Sequence, residues 1–334
     1  MKTAHQVFRM IVVSFLVSLA FSTKSAFAED LPCVIKVDSN GSVLGAINQV
    51  EQMGAETCTI WVAPGTYHEG LLLTSDQSHI KNLTIIGSGM DRTILRRFGG
   101  DSGMYINVTG EINVTIKNLT FDGTETATNF SIGIWAGHMS GTLKLDSVRI
   151  TNYRNEGVAM GGGYSGSILE MYRCVVDHNN SGVMTSPDRY DYEPQVLLVN
   201  NTFVNNTYAG VYVFNPIQAS HINIVNNVIV GSQNGIEARY LSSESRVFAE
   251  YNDLFGNNVD VVGQILGDPI TNIHADPRFI NPNAGNYHLR ANSPAINAGD
   301  PLSPRDSNGT RSDIGAFSYN GLARTPAPEP QPLP

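Results

Sequence analysis

The sequence predicts an all-β fold, a solenoid in which short parallel strands stack coil upon coil. Only 15% of the 334 residues are charged, and β-formers such as Val, Ile and Thr, rather than strong helix formers, fill the middle of the chain. A unit of short apolar runs and polar turns recurs there, and it shows no helical periodicity. A single such unit cannot bury its apolar side chains alone, so stacked units must build one continuous core.

The first predicted element is an export signal at residues 1–28. Lys2 and Arg9 are basic, residues 10–21 are apolar, and Ala26-Phe27-Ala28 has the small-x-small pattern of a signal-peptidase site. The apolar run is shorter than the roughly 20 residues that a membrane helix needs, and no later stretch approaches that length. We therefore expect a secreted or periplasmic protein without a membrane span.

The charge of the remaining chain disfavours nucleic acid as a partner. Removing the three basic residues of the signal leaves 18 Lys and Arg against 30 Asp and Glu, a net charge of −12. Affinity for a phosphate backbone depends on basic charge. We expect a monomer that acts on or binds a polysaccharide.

The chain contains three cysteines, and export from the cell would permit a disulfide between two of them. Cys33 and Cys58 each begin a short apolar run, and export permits a disulfide that would join two neighbouring strands. Because spacing does not determine the distance between two Cα atoms, a bonded and a free pair both remain open. Cys174 occupies an apolar repeat position and is predicted to be a buried small hydrophobe.

Two series of residues mark the repeat. Polar turn positions are separated by 28, 27, 28, 26 and 25 residues, at Asn118, Asp146, Arg173, Asn201, Asn227 and Asn252. Pairs of Gly and an apolar residue recur at a similar spacing of 24 to 28 residues, at Gly133-Ile134, Gly157-Val158, Gly182-Val183, Gly210-Val211 and Gly235-Ile236. Asn tolerates a left-handed corner, and identical amides in successive coils can hydrogen-bond along the stack. We expect a right-handed spiral of eight coils, about 40 Å long.

Segments at both ends of the repeats resemble one group of known proteins. The beginning contains 34–38, 43–47 and 60–69, with Pro64-Gly65-Thr66-Tyr67 at a tight corner, and the end contains Ser293-Pro294-Ala295-Ile296-Asn297 and Arg311-Ser312-Asp313-Ile314-Gly315. Over residues 33–319 the chain resembles the right-handed parallel β-helix, or pectate-lyase-like, superfamily, of the exported or surface type of bacteria. The resemblance implies a single-stranded right-handed parallel β-helix with an N-terminal cap helix and a C-terminal closing segment.

These features divide the chain into three predicted segments. Residues 1–28 form the signal peptide, 29–320 the β-helix domain, and 321–334 a Pro-rich flexible tail. The superfamily includes lyases, hydrolases, epimerases, esterases and non-catalytic surface proteins, so the resemblance leaves the chemistry open.

A candidate site follows the Gly-apolar pairs, where the resemblance places the sites of the related enzymes. Strand alternation sends the apolar residue of each pair inward and the next residue outward. The outward positions include Trp135, Tyr212, Phe214, Glu237 and Arg239, and His138 lies beside them. Sugar rings pack on aromatic rings while their hydroxyls need polar partners, which favours a glycan groove. Alternatively, long loops cover the aromatic rings, which then extend the core.

The segment 186–193 is the longest insertion after such a strand. Asp188, Asp191 and Glu193 have the oxygen ligands that a calcium ion prefers, and Arg189 could hold a uronate carboxylate. A solvated acidic loop is the alternative. The similar pattern at 306–313 is predicted to form Asx turns of the closing segment.

Two functions of different classes follow. One is a polysaccharide lyase that acts on an acidic glycan by β-elimination, with Arg239 as base or carboxylate clamp and Asp188 and Glu237 as cation ligands or charge partners. Trp135, Tyr212, Phe214, Arg189 and His138 then bind the substrate. The other is a non-catalytic exported protein that binds glycan or belongs to the cell envelope. The isolated Arg and Glu on one coil favour the first function. The lack of a carboxylate pair on adjacent coils, such as the paired Asp residues that pectate lyases carry, favours the second; hydrolysis is a weaker third hypothesis.

Overall fold

The structure, a computed structural model, describes residues 33–321 except 75–78, 98–100, 126–128, 162–166, 187–194 and 216–219. The described residues form a right-handed parallel β-helix of about eight coils with one short helix near the N-terminal end. The predicted architecture is therefore confirmed. The predicted signal peptide, and the tail beyond residue 321, lie outside the described residues.

Each complete coil contributes three short strands to the stack, and a cap helix precedes the first complete coil. In chain order the elements are β1 (Cys33–Val37), α1 (Val43–Gln52), β2 (Thr57–Val62), β3 (Gly65–Tyr67), β4 (Leu71–Thr74), β5 (Asn82–Ile86), β6 (Thr93–Arg96), β7 (Ser102–Glu111), β8 (Asn113–Asp122), β9 (Ile132–Thr151), β10 (Glu156–Gly161), β11 (Ser167–Tyr172), β12 (Val175–Asp177), β13 (Ser181–Ser186), β14 (Gln195–Val199), β15 (Thr202–Val204), β16 (Ala209–Asn215), β17 (His221–Val225), β18 (Val228–Val230), β19 (Asn234–Leu241), β20 (Arg246–Glu250), β21 (Asp253–Phe255), β22 (Val259–Gly263), β23 (Phe279–Asn281) and β24 (Asn286–Leu289).

The strands up to β22 stack in parallel as three sheets. The first sheet contains β1, β2, β5, β11, β14, β17 and β20. The second sheet contains β3, β6, β12, β15, β18 and β21. The third sheet contains β4, β7, β10, β13, β16, β19 and β22. Strand β8 runs through the first two sheets and β9 through all three, because they continue around the corners.

The N-terminal end of the solenoid is closed by α1. Ser42 caps the helix, since its hydroxyl accepts a hydrogen bond from the Gly45 amide, and the Glu69 carboxylate accepts one from the Val43 amide at 2.6 Å. The apolar face of the helix, including Ile47, is buried against the first coil. Cys33 and Cys58 are direct partners on β1 and β2 and form a disulfide, so the bonded alternative is confirmed.

The corner between the first and second sheets requires a left-handed residue in successive coils. These residues have φ between 53° and 58° and are Asn118, Ser147, Arg173, Asn200, Asn226 and Tyr251. The predicted turn series is thus correct at Asn118 and Arg173, one residue early at Asp146, and one residue late at the other three positions.

The three predicted turn residues that follow the left-handed corner by one position, Asn201, Asn227 and Asn252, have a different role. Their side chains form a buried ladder of amides. The Asn201 side-chain amide donates to the Asn227 side-chain oxygen at 2.9 Å, and Asn227 donates to Asn252 at 3.1 Å. All three side chains are fully buried. Cys174 occupies the same position one coil earlier and is buried and free, as predicted. Asn recurs here because its amide satisfies the buried backbone of the adjacent coils.

A column of glycines precedes the inward apolar residues of the third sheet. A Cβ atom on Gly182 would lie 2.4 Å from the carbonyl oxygen of Gly210, and one on Gly210 would lie 2.4 Å from Ile229 Cγ2. Only glycine therefore permits the close approach of successive coils at this corner. The following residues Val183 and Val211 are register partners and are buried, which confirms their inward orientation.

The closing segment, residues 276–319, covers the outer face of the second sheet. It contains the antiparallel pair β23 and β24, and Ile314 and Ala316 pack with Val175 and Val228 in one apolar cluster. The middle residues of the second-sheet strands, such as Phe203, face the interior. Because the flanking outward residues are also apolar, this face must be covered to leave water. The predicted Asx turns are present, with the Asn308 side-chain oxygen accepting a hydrogen bond from the Thr310 amide at 2.9 Å.

No helix among the described residues is long and apolar enough to cross a membrane.

Candidate functional site

The outer face of the third sheet carries the predicted site residues in register. One outward residue of each coil forms a continuous column, which consists of Leu72, Tyr105, Trp135, Ala159, Met184, Tyr212, Glu237 and Val262. The alternation inferred from the sequence is therefore correct. Tyr105 was missed, although Gly103-Met104 continues the Gly-apolar series by one coil and would have revealed it.

The N-terminal aromatic cluster consists of Tyr105, Trp135 and His138. The Tyr105 and Trp135 rings are stacked, with centroids 4.5 Å apart and planes 10° apart, and the His138 ring meets the indole edge-on at 6.0 Å. A Cβ atom on Gly137 would fall 1.6 Å from the indole, so the missing side chain lets the ring lie against its own strand. The result is a flat, half-buried aromatic platform.

This platform lies in a groove with a volume of about 700 Å³. Leu72 and Phe130 add exposed apolar surface to the groove, and Asp101 adds a carboxylate. Arg97 lines the same groove and donates from Nη1 to the Ser102 carbonyl at 3.1 Å. No carboxylate in the described part of the chain lies within ion-pair distance of Arg97. Its charge is therefore available to an acidic ligand.

The C-terminal aromatic cluster consists of Tyr208, Tyr212, Phe214 and Tyr240. Successive ring centroids are 5.4, 6.3 and 5.8 Å apart. Tyr208 was not predicted, since it precedes the strand pattern. Tyr240 lies beside the outward positions, as the sequence indicates, at a point where the strand becomes irregular, with φ of 52°. The cluster gives this end of the face a second apolar surface.

Glu237 is buried rather than exposed, which corrects the expectation of an open outward charge. Its side chain accepts hydrogen bonds from Asn234 and from the Tyr208 hydroxyl, and Arg239 Nε lies 3.3 Å away. Only 1% of the residue is accessible to solvent, because these neighbours cover it. Burial, followed by the hydrogen bond to Glu237, raises the pKa of Tyr208 to about 12. The structure thus shows Glu237 as a charge partner of Arg239.

Arg239 is the exposed member of this pair. About half of its side chain, 48%, is accessible, and it is the register partner of Phe214. The planar guanidinium presents its N–H groups in a fixed fork that matches a carboxylate, so Arg239 suits the role of carboxylate clamp better than that of base.

The predicted residues therefore do not form one cluster. Trp135 and Tyr212 are three coils apart in register, about 14 Å at the usual strand spacing, and Ala159 and Met184 lie between them. Asp188, Arg189, Asp191 and Glu193 lie outside the described residues. Among the residues that are described, no group of three or more His, Cys, Asp or Glu side chains is arranged to hold a metal ion. The calcium site remains a prediction.

A buried ion pair on the second sheet was also missed. Asp177 ends β12 and is fully buried. Arg149 donates to both of its carboxylate oxygens, at 2.9 and 2.6 Å, and the Tyr287 hydroxyl of the closing segment donates at 2.9 Å. Burial raises the pKa of Asp177, but hydrogen bonds from His178 and Arg149 outweigh this and hold it below the usual value. The network attaches the closing segment to the second sheet.

Three solved structures are similar to the chain: ORF18 of Geobacillus virus E2, with 13% identity and a TM-score of 0.33 over 70% of this chain and 62% of that one; the pectate lyase Pel9A, with 15% identity and a TM-score of 0.42 over 86% and 96%; and the pectin methylesterase from Aspergillus niger, with 14% identity and a TM-score of 0.37 over 72% and 83%. The chain thus spans 62% of the length of the viral protein. No curated protein matches the sequence significantly.

The family model described as the right handed beta helix region matches residues 46–271. Since this match covers more than half of the 334 residues, the chain belongs to the right-handed beta helix family.

Proposed function

We propose that the protein is exported and binds an acidic polysaccharide along the outer face of the third sheet. One observation carries the proposal: each of the two aromatic clusters on this face has an arginine beside it. Arg97 lines the groove of the Tyr105 and Trp135 platform, and Arg239 neighbours Phe214 in register. Sugar rings stack their C–H faces on aromatic rings, and guanidinium groups pair with uronate carboxylates. The combination selects acidic over neutral glycans.

The spacing of the clusters favours a polymer over a single sugar. They lie on one continuous face, about 14 Å apart along the axis of the solenoid. Between them, Ala159 is small and nearly buried and Met184 is half-buried, so the intervening described residues of this column raise no large barrier. An extended oligosaccharide can therefore contact both aromatic clusters at once.

The binding experiment compares purified protein on alginate and pectate with binding to neutral polymers of similar length. Arg239→Gln and Arg97→Gln should each weaken binding to the acidic polymers about tenfold at low salt, and less at high salt. Arg246→Gln is the matched control, because Arg246 is an exposed arginine of the first sheet. Equal binding to neutral and acidic polymers would contradict the proposal, as would an equal loss in the control.

Cleavage by β-elimination is the second candidate function. The observation that favours it is a guanidinium held by a buried carboxylate while half of the side chain remains exposed. Such a cation can neutralise a uronate carboxylate and stabilise the enolate that forms when the α proton leaves. Burial and the hydrogen bond to Glu237 raise the pKa of Tyr208, which makes its hydroxyl a poor base at neutral pH.

The lyase test follows the absorbance of the unsaturated product on alginate, pectate and host glycans, with added calcium and with a chelator. Product that appears with calcium and disappears with chelator would support both the lyase function and a calcium cofactor. Absence of product on every uronate polymer would refute the lyase function and leave glycan binding to be judged by the binding experiment.

A further inference from the structure

The last coil of the solenoid is closed on two of its three sheets. Leu266 forms a bridge with Phe248 of β20, and Ile273 forms a bridge with Asp253 of β21. The chain then leaves to run over the second sheet. Strand β22, at the end of the third sheet, pairs only with β19 within the described residues. Its other edge therefore presents unpaired backbone N–H and C=O groups.

The core is open beside this edge. Val261 continues the inward column of Val211 and Ile236, which are at most 1% exposed, yet Val261 itself is 40% exposed. Val259 on the same strand is 46% exposed. Three further apolar side chains of the terminal coil are exposed, namely Phe255, Leu266 and Ile270. Val261 therefore differs from Val211 and Ile236, because its inward side chain is open to water.

The edge also lacks the features that usually prevent strand pairing. Its sequence, Val259-Asp260-Val261-Val262-Gly263, contains no lysine and no proline. The one charge belongs to Asp260, whose carboxylate is held by His274 Nδ1 at 2.8 Å. Such an edge is an open template for another strand.

We propose that β22 joins two copies of the protein end to end, as an antiparallel strand pair across a two-fold axis at Val261. In that register each Val261 faces its counterpart, Asp260 faces Val262 of the partner subunit, and Val259 faces Gly263 of the partner subunit. The two aspartates are therefore not opposite each other, and the exposed valines lose water. The proposal replaces the expectation of a monomer and is independent of the glycan site.

The two ends of the solenoid explain why the assembly closes at two copies. At the N-terminal end α1 covers the core with its buried apolar face, whereas the core beside β22 is open. A two-fold contact pairs the β22 edge of one copy with that of the other, so this contact stops at two copies.

The Pro-rich segment 325–334 is a poorer occupant of the edge. Proline stands at every second position, and proline has no backbone N–H to donate to a neighbouring strand. A variant that lacks residues 325–334 is therefore included in the light-scattering experiment.

The first experiment measures molar mass in solution by light scattering. We expect the wild type at twice the mass of one chain, Val259→Lys at the mass of one chain, and Val34→Lys unchanged. Val34 is the matched control, since it is 49% exposed and lies at the opposite end of the solenoid. Wild-type protein that stays monomeric at its highest soluble concentration, or assembles beyond a dimer, would overturn the proposal. Conversion of a monomer into a dimer by deletion of 325–334 would show that this segment occupies the edge and would also overturn it.

A cross-link tests the register even if a lysine variant folds poorly. Directly opposed residues in antiparallel strands have Cα atoms about 4.5 to 5.5 Å apart, within the range of a disulfide. Val261→Cys should therefore form a covalent dimer under mild oxidation, while Val34→Cys should not. The native cysteines do not compete, because Cys33 and Cys58 are bonded and Cys174 is buried. A Val261→Cys protein that remains uncross-linked would refute the register.

Discussion

The side chain of Asn201 donates a hydrogen bond to that of Asn227 in the next coil, at 2.9 Å, and both residues are fully buried. The Asn227 side-chain oxygen also accepts from the Asn201 backbone amide at 2.8 Å, and its Nδ2 donates to the Leu198 carbonyl at 2.8 Å. One side chain thus satisfies buried groups of the adjacent coils. The ladder is a structural reason for Asn at this corner, separate from any left-handed turn.

Replacement of Asn227 by Ala should therefore destabilise the protein strongly. The substitution leaves the Asn201 amide and the Leu198 carbonyl buried without these partners, at an expected cost of about 3 kcal/mol in the free energy of unfolding. Urea denaturation measures the change. Asn223→Ala is the control, since Asn223 is an exposed residue of the preceding strand and should change stability by less than about 0.5 kcal/mol. Similar losses in the two variants would contradict the role of the ladder.

Asp253 predicts a pH dependence of stability. The residue is fully buried, its Oδ1 accepts one hydrogen bond from the Ala275 amide, and its Oδ2 has no partner among the described residues. Burial raises its pKa to about 7, and the nearby Asp276 and Asp260 add to the shift while His274 opposes it.

A carboxyl group whose pKa is higher in the folded state binds more protons there than in the unfolded chain. The contribution of Asp253 to stability is therefore full below about pH 4, falls as the pH rises, and is lost above pH 7, a change of roughly 4 kcal/mol. Asp253→Asn should keep the bond to Ala275 and flatten this part of the pH profile. Melting temperatures from pH 4 to pH 8 check the prediction, and an unchanged profile in the variant would refute it.

Tyr212 and Val211 test the outward and inward positions of β16 against each other. Tyr212→Ala should weaken polysaccharide binding with little loss of stability, because its ring is half-exposed. Val211→Ala should do the reverse, since deleting buried methyl groups costs about 1 to 3 kcal/mol. Thermal denaturation and a glycan pull-down decide the matter. A Tyr212→Ala protein that melts well below Val211→Ala would show that the ring belongs to the core.

Gly182→Ala should destabilise the solenoid by more than about 3 kcal/mol, because the new methyl group would collide with the carbonyl of Gly210 and the ring of Phe203. Gly65→Ala is the matched control, since a Cβ atom there meets its neighbours at no less than 3.5 Å. Circular dichroism during heating measures both variants. An unaffected Gly182→Ala protein would mean that the coils are less tightly spaced than the structure shows.

The sequence by itself determined the parts of this protein that repeat. The recurrence of the Gly-apolar pairs every 24 to 28 residues determined the coil length, the parallel stacking and the inward column through Val183 and Val211. The sequence placed Cys33 and Cys58 at the beginnings of two neighbouring strands, whereas the structure decided that they are bonded. These features follow from sequence because each coil contacts mainly its neighbours, so one periodic pattern is read out many times.

The tertiary structure decided the parts that do not repeat. The burial of Glu237 depends in part on Tyr208, which precedes the strand pattern, so alternation alone does not bring it to this carboxylate. The closing segment reaches the second sheet through Asp177 and Tyr287, which are 110 residues apart in the chain. The open edge of β22 exists because the chain turns away before completing another coil. Contacts of this kind occur once and join residues that are far apart in the sequence. A repeating sequence pattern therefore cannot predict them, and only the folded chain brings the partners together.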